Sequence, residues 1–188
     1  MASIVVAGDT SGTVTLTAPL VAGTTTLTLP TVNGTILTTG SSGQSIPRAA
    51  LPAGSVLQVV VGNYVNITST TSTSYVDTGL SASITPTATS SKILVIVQAS
   101  IELLQSGNSA RFVIDRSGTK PQDPNFIQSL AINDGLTLAF AYLDSPSSTS
   151  SLTYKIQFKN EQGGYTTRFG NASGDYTYNT ITLMEIAA

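Results

Sequence analysis

Leu152, Tyr154, Ile156 and Phe158 alternate strictly with Thr153, Lys155, Gln157 and Lys159. An apolar residue at every second position is the signature of an extended chain with one face in a core, and no helix can satisfy it. The same beat runs through "SKILVIVQASIELL", where Ile93, Val95, Val97, Ala99, Ile101 and Leu103 share one face while Gln98, Ser100 and Glu102 fall on the other. "SVLQVVVGNYVNIT", "SARFVID", "FIQSLAI", "LTLAFAYLD", "GGYTTRFG" and the terminal "YNTITLMEI" read as further strands, and "TSYVDTGLSASITP" as two short ones about a turn at Gly79. Turn signals such as "DRSG", "NDG" and "SPSSTS" recur every 8 to 14 residues or so, with no convincing helix between them. The expected fold is therefore all-β: roughly eight or more antiparallel strands in a jelly-roll-like β-sandwich over residues 55–188.

The first part of the chain keeps the period but loses the charge. Asp9 and Arg48 are its only charged residues before Asp77. A refrain occupies it: Gly12 to Thr17 closes at Pro19, Gly23 to Leu29 closes at Pro30, and Asn33 to Thr38 runs into "TTGSSGQS". Each unit spells one short strand and one turn, with proline ending the strand because it has no donor to offer. Strands this short cannot enclose a core, so the apolar positions Val14, Leu16, Leu27, Leu29 and Ile36 need an outside surface. The later domain, a larger particle and sister chains are the possible surfaces; the uncharged composition favours the last two. Residues 1–40 are thus expected to be an extended β arm for assembly or particle binding. Residues 41–54, "SSGQSIPRAALPAG", form a linker with room for a short helical turn at Pro47 to Leu51.

Composition excludes several kinds of function. Charged residues are 10% of the chain and the net charge is −2, which offers no basic surface for nucleic acid. No segment approaches the roughly 18 apolar residues of a membrane span, and "ASIVVAGDT" after Met1 lacks the basic and apolar regions of a leader, so synthesis in the cytoplasm is expected. Histidine and cysteine are absent, which removes the commonest general base, the Ser-His and Cys-His nucleophiles, disulfides and the usual zinc ligands. A carboxylate pair for glycoside hydrolysis is formally open among Asp115, Asp123, Asp134, Asp144, Glu161 and Asp175, but the first five of these sit in turn contexts where such residues bond their own backbone. Glu102 and Glu185 lie within strands, where an exposed face or a subunit ion pair is the expectation. Ser117 to Lys120 matches a Ser-x-x-Lys nucleophile motif, yet Gly118 and Pro121 place it in a loop. The sequons at Asn33, Asn66 and Asn171 are chance matches in a Ser- and Thr-rich chain. No catalytic, cofactor or metal residues are assigned. Tyr165, Arg168, Phe169, Tyr176 and Tyr178, gathered in the Gly-rich "GGYTTRFGNASGDYTY", are the candidate contact for a sugar or other partner.

"GTVTLTAPLVAGTTTLTLPTVNGTI" resembles a segment of tailed-bacteriophage tail fibres and other virion surface proteins. "GSVLQVV", "TSTSYVDTGLSASITPTATSSKILVIV", "SLTYKIQF" and "TITLMEI" resemble short phage and cyanophage virion proteins, most specifically from Tyr75 to Val97. The resemblance implies a non-enzymatic homotrimer on the outer surface of a virion, with a jelly roll somewhat like those of C1q and tumour necrosis factor. Its partners would be its own copies and the major capsid protein or a tail adaptor. With 188 residues there is little room for an adaptor and a long shaft together, which favours a capsid decoration, or cement, protein. The alternative is a short tail or head fibre that adsorbs to host-surface glycans.

Overall fold

A computed structural model of the chain describes residues 3–7, 13–17, 51–121, 125–128, 134–170 and 179–188. Its backbone gathers into two units, Met1–Ile46 and Pro47–Ala188. In the first, β1 (Ser3–Ala7) and β2 (Thr13–Thr17) pair antiparallel, with Val5 opposite Thr15. β2 is the first member of the Thr-rich refrain, while β1 is a strand for which the sequence reading made no provision. Leu27, Leu29, Ile36 and the helical turn expected from Pro47 lie outside the described residues, as do the side chains of Val14 and Leu16.

The second unit is an all-β sandwich. β3 (Val56–Tyr64), β12 (Asn179–Ile186), β6 (Lys92–Leu103) and β9 (Asp134–Asp144) lie side by side in that order in one sheet. β5 (Val76–Ile84), β10 (Leu152–Asn160), β7 (Ser109–Arg116) and β8 (Asn125–Gln128) form the other. Every pairing is antiparallel. The chain crosses from sheet to sheet at six of the nine connections between β3 and β12, which is the winding of a jelly roll. Two short strands, β4 (Thr68–Thr70) and β11 (Thr167–Phe169), extend the first sheet beyond β12 along the far end of β6.

The period of two does what it promised. Ile93, Val95, Val97, Ala99, Ile101 and Leu103 are all buried, as are Tyr154, Ile156 and Phe158 opposite them. Phe112 stacks on Phe158 at 5.9 Å between ring centres, and Phe169 leans on both. The C-terminal strand lies inside its sheet, between β3 and β6, with Ile181 and Leu183 fully buried.

Gly79 differs from expectation. β5 is one continuous strand and not two, and Gly79 marks a bulge where the register with β10 shifts between Lys155 and Gln157. Its φ of +96° suits only glycine without strain. The Thr78 hydroxyl fills the bulge, donating to the Ile156 carbonyl and accepting from the Leu80 amide. At Gly62 the reason for glycine is space: a Cβ there would overlap the Ser81 carbonyl oxygen, where β3 crosses close over β5.

Candidate functional surface

The described part of the loop expected to be a contact site, residues 163–170, is largely engaged in holding the fold. Phe169 belongs to β11 and is fully buried among Tyr64, Phe112 and Phe158, which removes it from any ligand surface. Its apolar ring sits two residues from the buried Thr167, so strand alternation turns it inward. Arg168, on the opposite side of β11, donates to Glu102 across the strand pair at 3.2 Å. Tyr165 is half-buried, and its carbonyl accepts from the Asn160 side chain. Tyr176 and Tyr178 lie outside the described residues.

The carboxylates serve the fold in a way their sequence contexts only partly foretold. Asp115 accepts from the Gly118 amide, as a turn residue does, and Ser117 and Gly118 both take positive φ in a loop that is no helix terminus. Asp144 had the same expected role but plays another. It is buried at the end of β9 and accepts from Arg116 and from the Tyr154 hydroxyl, both in the opposite sheet. Glu185 overturns the expectation of an exposed or intersubunit charge. It is fully buried, with Oε1 taking hydrogen bonds from the Thr87 amide, Thr87 hydroxyl and Ser91 hydroxyl, and Oε2 from Gln58. Burial alone would raise its pKa, but the bonds from Ser91, Gln58 and Thr87 outweigh that and hold it at about 2. Asp123 and Asp175 lie outside the described residues, as does the side chain of Asp134. Among the described residues no three acidic side chains converge as a metal site would require.

The two outer faces of the sandwich are chemically opposite. On the β5-β10-β7 face, Lys155 and Gln157 bind Asp77, Arg111 and Lys159 bind Glu161, and Lys120 and Lys159 each stand 5.4 Å from the Tyr75 ring centre. That is a solvated, charge-laced surface. On the β3-β12-β6-β9 face, register aligns Val59, Met184, Leu94 and Leu143 in one row across all four strands. Val61, Thr182, Ile96 and Ala141 form the next row, followed by Asn63, Thr180, Gln98 and Ala139. Lys92 closes one end and the Glu102–Arg168 pair the other; no charged residue lies between. Val59 is 52% exposed, Val61 53% and Leu143 47%.

Sequence reasoning missed this face. Its signal was the unbroken apolar run "ILVIV" in β6, which implies cover on both sides of the strand. No helix among the described residues is long and apolar enough to cross a membrane. Compared with known proteins, the chain matches no family model and no curated protein.

Proposed function

We propose that this chain is a non-enzymatic structural protein of a phage virion, a homotrimeric decoration protein held on the capsid by its N-terminal arm. The observation that carries the reading is the uncharged apolar face of a jelly roll: the molecule offers a broad contact surface, while its buried carboxylates are occupied by internal donors. A carboxylate already taken up by Arg, Tyr, Ser and Thr donors has little basicity left for acid–base work. The refrain of residues 12–38 and the run from Tyr75 to Val97 support the virion assignment through their resemblance to phage surface proteins. The uncharged arm suits burial against a particle, since hydroxyls cost less to desolvate than charges.

Decoration is preferred to a short adsorption fibre because two of the residues proposed to touch host glycans, Arg168 and Phe169, are already spoken for by Glu102 and the core. The test is copy number in purified virions, by quantitative mass spectrometry against the major capsid protein. Copies in near-stoichiometric proportion to that protein are expected, and removal of residues 1–40 should abolish their incorporation. A handful of copies per particle would move the protein to the tail or a vertex and favour the fibre.

A further inference from the structure

We infer that the occupant of the β3-β12-β6-β9 outer face is a further copy of this chain, packed through the rows led by Val59 and Val61. The inference rests on the structural reading above and names the partner of that surface. Its first support is chemical. Encounter surfaces that form and part are only about as apolar as an ordinary protein exterior, whereas permanent homomeric ones are distinctly more so. Val59, Val61, Leu94, Ile96, Leu143 and Met184 make this face of the second kind. A permanent apolar interface needs a partner present from synthesis onward, and the chain's own copies meet that condition better than a capsid or host surface met later.

The second support is charge. Rotational symmetry brings identical residues together about an axis, where like charges repel. Between Lys92 and the Glu102–Arg168 pair the face holds none, while the opposite face carries Asp77, Arg111, Lys155, Lys159 and Glu161. Of the two faces, this one can gather about a cyclic axis without bringing like charges together. The third support is size. Four strands about 4.8 Å apart and about eight residues long give roughly 500 Å² in projection. With side-chain relief this approaches the ~800 Å² per partner of a standard stable interface.

The experiment uses the full chain, with Val59→Lys, Leu143→Lys and, on the opposite face, Ser81→Lys, each examined by native mass spectrometry and sedimentation across a range of concentrations. Wild type and Ser81→Lys should form a closed oligomer, a trimer under the reading above. Val59→Lys and Leu143→Lys should weaken it by about 100-fold or more in dissociation constant, since each places a charge in the desolvated centre, with near-ultraviolet circular dichroism unchanged. Should Val59→Lys misfold, Leu143→Lys on the far strand carries the test. A monomeric wild type overturns the inference, as does an oligomer that both lysine variants leave intact. A monomer whose incorporation into particles is blocked by Val59→Lys would overturn it in favour of a capsid partner. Copy number in the virion is read separately, so the virion assignment can fail while this interface stands.

Discussion

Glu185 carries its charge inside the sandwich because Ser91, Gln58 and Thr87 supply the hydrogen bonds that water would otherwise provide. Its folded pKa of about 2 lies below the ordinary 4.5, so the unfolded chain takes up a proton before the folded one does. The resulting stability is fully present above pH 4.5 and is lost as pH falls toward 2. The gap corresponds to roughly 3 kcal/mol. Asp77 and Glu161, held low against burial by their hydrogen bonds and by nearby lysines and arginine, act in the same direction but sit near solvent and contribute less. Glu185→Gln should therefore lose about that much stability at pH 7 and flatten the acid limb of a urea-denaturation series between pH 4.5 and 2. An unchanged limb would mean that the carboxylate is not what acid titrates. None of this was legible locally: "TLMEI" shows a glutamate on a strand, but its cage comes from residues 58, 87 and 91.

At the scale of the element, the end of β9 is tied to the other sheet through one side chain. Arg116 on β7 and Tyr154 on β10 are cross-strand partners, and both reach Asp144. Burial, with the bond to Asp144 adding to it, raises the Tyr154 pKa and keeps its phenol a donor. Removing the acceptor leaves a part-buried guanidinium and a buried hydroxyl without it. Asp144→Ala should cost about 3–5 kcal/mol, and Tyr154→Phe about 1–2 kcal/mol. The double variant should show a coupling of at least ~1 kcal/mol by equilibrium denaturation. Strict additivity would show that the two groups do not share a network. The strands that carry these residues were plain in the alternation of residues 152–159. The bond between them was not, because "LDSPSS" carries every local mark of a self-contained turn.

At the scale of the whole molecule, the described residues of the second unit carry a continuous core, whose buried apolar residues run from Leu80 to Leu183. Residues 47–188 alone should therefore melt in a single cooperative transition. Calorimetry showing a broad or missing transition would contradict this. What the sequence by itself determined was period and punctuation. Alternation set which residues of β6, β10 and β12 face inward, and Gly, Pro, Asn and Asp set where strands stop, because both are properties of a few neighbouring residues. Tertiary structure alone decided what depends on which strands become neighbours. It turned Gly79 from a turn into a bulge, turned Phe169 from a loop aromatic into core, and enclosed Glu185. It also lined up Val59, Met184, Leu94 and Leu143, four residues far apart in the chain, into one row. Register between strands is long-range information, fixed by the packing of two whole sheets, and no single stretch of chain contains it.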